Sequence, residues 1–182
     1  AYTGEISAPM LAKFGTQYVL VGHSERRQHF GETSELTANK VKAVLKFGMT
    51  PILCVGETRE QRDAEQSFDV VEEQVRTGLS KINKSDAENV VIAYEPVWAI
   101  GAGTPATIVQ ANEMIAKIRA VLFGIAKSTA DTSRVIYGAS VDPTNARGFM
   151  EQEGIDGLLV GGASLNADDF SRLVISAVKS KV

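Results

Sequence analysis

Glu95 stands directly before a proline at the end of an apolar run, a setting in which a lone carboxylate can act as a base toward a carbon-bound proton. In Ala93-Tyr94-Glu95-Pro96-Val97-Trp98-Ala99-Ile100-Gly101, Pro96 holds Glu95 extended and out of a helix. Beyond it, Gly101, Ala102 and Gly103 form a small-residue tip bounded by Trp98 and Pro105, the composition of a loop that moves between stiffer hinges. A Glu-Pro pair alone fits an ordinary solvated strand end better, so the base needs partners. Removing a proton next to a carbonyl also requires a polar group at the oxyanion of the resulting enediolate. His23 ends another apolar run, in Gly22-His23-Ser24-Glu25-Arg26-Arg27, and Ser24 after it is a helix start. A helix N-terminus disfavours positive charge, which suits a neutral imidazole there. His29 has no comparable setting and reads as a surface residue. Gly161 and Gly162 follow a third run and precede Ser164-Leu165 and a helix, where backbone N–H groups can hold a phosphate without clustered Lys or Arg.

Positioning these residues requires a scaffold of strands and helices. Apolar runs without polar alternation occur at residues 18–22, 51–55, 90–94, 134–137 and 157–160, and they predict about five strands buried on both faces. Helical patterns lie between them. Ser34 is placed to cap a helix through Val41, Val44 and Leu45 that ends at Gly48. Thr107 and Gln110 have capping-box spacing ahead of Met114, Ile115, Ile118 and Leu122. A last helix covers about 166–179. Glu57 is read as a helix-start carboxylate, and residues 57–73 as a solvated helical face. Strand, loop and helix repeat without a linker, so residues 1–182 form one α/β domain with a parallel sheet. A doubly wound sheet would show a glycine-rich turn after residues 18–22, and none is there. Polar residues instead follow each run, as at the active-site end of an eight-stranded (β/α)8 barrel. Such a barrel needs about 250 residues, so this chain is expected to be incomplete by roughly three units.

Composition narrows the functional classes. The 182 residues are 44% hydrophobic and carry a formal charge of -3. A broad basic field for nucleic acid is therefore lacking. Apolar runs stop well short of the roughly 20 residues of a membrane span, and residues 1–10 do not read as a signal peptide. A single cysteine, Cys54, forms no internal disulfide and no thiolate zinc site. The expectation is a soluble cytoplasmic protein without a metal, acting on a small anionic substrate.

The strings around Glu95 and His23 closely resemble signatures of the triosephosphate isomerase family. Further resemblances follow in the same order, at Ala1-Tyr2-Thr3-Gly4-Glu5, Tyr137-Gly138-Ala139-Ser140-Val141 and Val160-Gly161-Gly162-Ala163-Ser164-Leu165, and they span nearly the whole chain. The resemblance implies a TIM barrel of which strands four to eight are present. It implies interconversion of D-glyceraldehyde 3-phosphate and dihydroxyacetone phosphate through an enediolate, without metal or organic cofactor. The glutamate base and neutral histidine are an established pair in that family, and they fall on Glu95 and His23. Gly101, Ser140, Gly161 and Gly162 become the phosphate site, Glu25 and Tyr137 supporting residues, and Cys54 a neighbour behind the site. A homodimer is implied, with Thr3 on a loop reaching the second subunit, and a role in glycolysis and gluconeogenesis. The family's catalytic lysine would lie upstream of Ala1.

Two stretches depart from the family pattern. Thr104-Pro105-Ala106 replaces a lysine followed by a small or hydroxylated residue, and Ala139 replaces a second glycine. Both predict altered loop kinetics rather than lost chemistry. Two alternatives remain at this point: another phosphate-binding barrel enzyme, and a truncated barrel that keeps the fold without the reaction.

Overall fold

A computed structural model describes residues 2–101 and 105–179. Its strands are β1 (Tyr18–Val21), β2 (Thr50–Val55), β3 (Val91–Tyr94), β4 (Val135–Tyr137) and β5 (Gly157–Leu158). Helix α1 (Ala8–Lys13) precedes β1; α2 (Ser24–Phe30) and α3 (Ser34–Lys46) lead to β2. Helices α4 (Arg59–Asp63), α5 (Ser67–Leu79) and α6 (Lys84–Ala87) lead to β3; α7 (Ile108–Ile125) and α8 (Lys127–Thr132) lead to β4. The short α9 (Ala146–Met150) precedes β5, and α10 (Ala167–Lys179) follows it.

The sheet runs β1-β2-β3-β4-β5, each strand parallel to its neighbour in sequence. Parallel crossovers are right-handed, so a sheet that always adds its next strand on the same side keeps its helices on one face. That order never reverses, which separates this arc of a barrel from a doubly wound sheet. The outer layer follows: α3 contacts α5, and α5 contacts α7. Val41, Val75, Ile92, Ile115, Ile118 and Leu122 fill the space between sheet and helices. All four residues of the central β3 are buried, as its uninterrupted apolar run requires. On β1, an edge strand among the described residues, Leu20 is 47% exposed. Phe170, Val174, Ile175 and Val178 on α10 are exposed as well.

Three local expectations change. Thr33, not Ser34, caps α3: its backbone is extended and its side chain accepts from Leu36 N–H, while Ser34 is already helical and bonds to Glu73. Strand β5 ends at Leu158 rather than Val160, because only three-residue β4 pairs with it. Residues 57–73 are not one solvated face but a buried Glu57, helix α4 with its own Thr58–Gln61 capping box, and part of α5. Thr107 and Gln110 form the expected capping box, and Gly48, at φ +73°, follows the last turn of α3 where a left-handed residue is needed.

Candidate active site

Glu95 owes its position to the sheet. Its N–H donates to the Val55 carbonyl at 2.7 Å, extending the β2–β3 ladder one residue past the strand. Gly56 lies so close that an added Cβ would fall 1.7 Å from the Glu95 carbonyl oxygen, so only glycine fits there. The carboxylate is 2% exposed. Its Oε2 accepts the Ser24 N–H at 3.2 Å, and its Oε1 lies 3.1 Å from His23 Nε2. Burial pushes the Glu95 carboxyl above the ordinary glutamate value, against the opposing pull of His23, the Ser24 N–H, Cys54 and Arg27. Cys54 is buried beside it, and burial together with the charge of Glu95 pushes the thiol well up.

His23 is the N-cap residue of α2, and its Nδ1 accepts the Glu25 N–H at 3.3 Å. A ring nitrogen that accepts carries no proton, so the imidazole presents its hydrogen on Nε2, toward Glu95. The backbone therefore selects one tautomer and aims it. Arg27 binds the neighbouring turn through Nε to the Gly22 carbonyl at 2.7 Å. Gly22 sits at φ +71°, hemmed in by Thr37 and Arg27.

Facing this pair is a cavity of about 580 Å³ whose lining includes His23, Glu95, Gly101, Ser140, Gly161 and Gly162. Among the described residues, no lysine or arginine lines it. Gly161 and Gly162 have open space at their Cβ positions, and they enter a 3-10 turn over Gly162–Leu165 just before α10. Backbone amides at this end can receive an anion that the net charge of the protein would otherwise repel. Tyr137, at the end of β4, stacks on Phe149 with centroids 4.1 Å apart, and its hydroxyl accepts the Ala106 N–H at 3.2 Å. Burial pushes that hydroxyl up to about 12. Ser140 Oγ donates to the Ala99 carbonyl at 2.7 Å, tying the loop after β4 to the segment after Glu95. Among the described residues, no three His, Cys, Asp or Glu side chains cluster as metal ligands.

A family model described as triosephosphate isomerase matches residues 1–177. The chain belongs to the triosephosphate isomerase family. It is 51% identical to the triosephosphate isomerase of Syntrophotalea carbinolica over 96% of this chain and 69% of that protein. The figures are 50%, 96% and 70% for Geotalea uraniireducens, and 51%, 96% and 71% for Thermoanaerobacter sp. (strain X514). The five parallel strands are accordingly part of the triosephosphate isomerase barrel, and the chain is an isomerase of that family.

Most residues singled out in the sequence converge on this site, but Glu25 does not bring its side chain to it. Glu25 is exposed in the first turn of α2, where its backbone N–H holds His23. Arg26 pairs with the buried Glu32 rather than with Glu25. Gly101, at φ +67°, and Pro105 flank the expected loop tip; Ala102, Gly103 and Thr104 lie outside the described residues. Glu57 was missed. It is fully buried and accepts from Trp98 Nε1–H at 2.8 Å, from the Tyr94 hydroxyl at 3.2 Å and from Arg62 at 3.1 Å. The guanidinium groups of Arg59 and Arg62 lie 4.8 Å and 4.6 Å from the Trp98 ring centroid. Its signal was present: like Glu95, Glu57 follows the end of an apolar strand.

Proposed function

We propose that Glu95 and His23 carry out the proton transfers that interconvert D-glyceraldehyde 3-phosphate and dihydroxyacetone phosphate. Glu95 removes the proton from the carbon beside the carbonyl, and the electrons of that C–H bond move into an enediolate. The His23 Nε2–H hydrogen-bonds the substrate oxygens as negative charge develops and passes the hydroxyl proton from one oxygen to the other, while Glu95 returns its proton to the adjacent carbon. Both steps are proton transfers, so the reaction calls for no organic cofactor or metal. The supporting observation is the nearly buried carboxylate 3.1 Å from an imidazole nitrogen, in the lining of a cavity that Ser140, Gly161 and Gly162 line as well. These residues, with Gly101, receive the phosphate through backbone N–H groups. Tyr137 holds the far end of the loop through Ala106. Substrate must displace the His23–Glu95 contact, because each group then faces the ligand.

The further expectations belong to the same reading. The protein acts in glycolysis and gluconeogenesis, in the cytoplasm, as a homodimer. No described helix is long and apolar enough to cross a membrane, and Thr3 lies on an exposed turn ahead of α1. Sedimentation equilibrium of the purified protein tests the dimer, and a single species at the monomer mass would refute it. Triose phosphate exchange is the direct test of the chemistry. Glu95→Gln is expected to lose about 10³-fold in kcat and His23→Gln about 10²-fold, each measured against the unsubstituted protein in the same background. Full activity of Glu95→Gln would overturn the mechanism.

A further inference from the structure

Asn145 occupies the N-cap position of α9, yet its side chain makes no cap there. Asn83 and Asn166 behave differently: each side chain accepts N–H groups of the turn that follows it, the usual use of asparagine at a helix start. Asn145 spends its hydrogen bonds backward. Its Nδ2–H donates to the Ser140 carbonyl at 2.9 Å, and its Oδ1 accepts the Asp142 N–H at 3.0 Å. Asp142 answers by accepting the Asn145 N–H at 3.1 Å, together with the N–H and hydroxyl of Thr144.

What this clamp encloses is a strained residue. Ser140 sits at φ +47°, and the only other non-glycine residue with positive φ among the described ones is Glu65. A Cβ in the left-handed region is unfavourable, and the conformation persists only where its surroundings over-determine it. Family pattern and flexibility would have placed such a backbone at the neighbouring position 139, but there the alanine is buried and has no positive φ. Asn145 does not line the cavity, whereas Ser140 and Asp142 do.

We propose that Asn145 is a positioning residue for the phosphate cradle: its carboxamide, bridging Ser140 and Asp142, holds Ser140 left-handed so that the loop presents its backbone to the phosphate. The proposal rests on the cavity being the triose phosphate site. It also gives Asp142, a carboxylate at an anion site, a reason to be there. Its Oδ1 is engaged by Thr144 and Asn145, so the charge is tethered to the turn. Because Ser140 Oγ holds the Ala99 carbonyl, releasing the clamp also loosens the segment after Glu95.

The test is an amide-resolved NMR titration with inorganic phosphate, paired with steady-state kinetics. In the unsubstituted protein, phosphate shifts the amides of Ser140, Gly161 and Gly162. Asn145→Ala weakens phosphate binding about tenfold and raises KM similarly, with kcat changed less. Asn145→Leu, close in shape and uncharged, removes both side-chain hydrogen bonds, shows the same loss and serves if the alanine variant does not fold. In a Ser140→Gly background the loss from Asn145→Ala shrinks to about twofold, because glycine adopts positive φ without strain. An equal loss in both backgrounds would mean a general structural role and overturn the clamp. Phosphate affinity within twofold of the unsubstituted protein would overturn it too, leaving the phosphate site intact. If phosphate fails to shift Ser140, Gly161 and Gly162 in the unsubstituted protein, the site reading itself falls.

Discussion

Two glutamates end neighbouring strands and are almost equally buried, yet their surroundings differ. Glu57 is surrounded by donors: the Trp98 indole, the Tyr94 hydroxyl and the Arg62 guanidinium all bind its carboxylate. Glu95 has one backbone N–H and one imidazole, with the neutral Cys54 thiol behind it. The first is held on several sides and anchors the start of the loop through Trp98. The second has fewer donors and a raised pKa, which suits the base proposed for it. Burial alone does not make a carboxylate reactive. The number and kind of its partners decide.

The sharpest way to break this comparison is to neutralise each residue in turn. Glu95→Gln is expected to abolish nearly all turnover while leaving thermal stability within about 0.5 kcal/mol, since it removes a poorly compensated buried charge. Glu57→Gln should do the reverse, costing about 2 kcal/mol in chemical denaturation while kcat falls by less than about tenfold. Equal effects of the two substitutions on turnover would show that the distinction between anchor and base is wrong.

The pH dependence separates them next. The folded-state pKa of Glu95 lies above the ordinary value of 4.5, so between those two values the folded protein binds more protons than the unfolded chain. Stability therefore falls as pH rises through that window, and Glu95→Gln should flatten the fall. The same ionisation creates the proposed base, so the acid limb of kcat/KM, which reports the free protein, should lie above pH 4.5. An acid limb at or below that value would contradict the environment assigned to Glu95.

Smaller effects test the anchor itself. Trp98→Phe removes one hydrogen bond to a buried carboxylate and should cost about 1.5 kcal/mol in denaturation. No measurable change would mean that Glu57 is satisfied without the indole. Pro105→Thr should have the smallest effect, changing the rate of loop closure roughly two- to fivefold in stopped-flow measurements with little change in stability. Unchanged closure kinetics would remove Pro105 from the hinge.

Much of this arrangement is legible in the linear chain because it is local. Buried parallel strands announce themselves as short apolar runs, and a proline after Glu95 or a capping box at Thr107 acts within a few residues. The strand-end positions of Glu95 and His23 follow from those runs, as does the glycine pair ahead of α10. Strand limits were less legible where they depend on a neighbour, as with β5, which extends only as far as β4 can pair with it. The choice of Thr33 over Ser34 as cap depended on where the backbone turns helical, and both side chains are chemically suited.

Residue types and their order along the chain suffice to pick out the side chains suited to the proposed chemistry and the strand ends at which they stand. How each is held depends on long-range contacts made in the folded chain. The Ser24 N–H reaches Glu95 across 71 residues, and Trp98 reaches Glu57 across 41; no periodicity encodes such pairings. Asn145 turns back toward Ser140 instead of capping its own helix for the same reason. Propensity selects local conformations, but the partners of a buried polar group are chosen by which chain segments the sheet brings side by side.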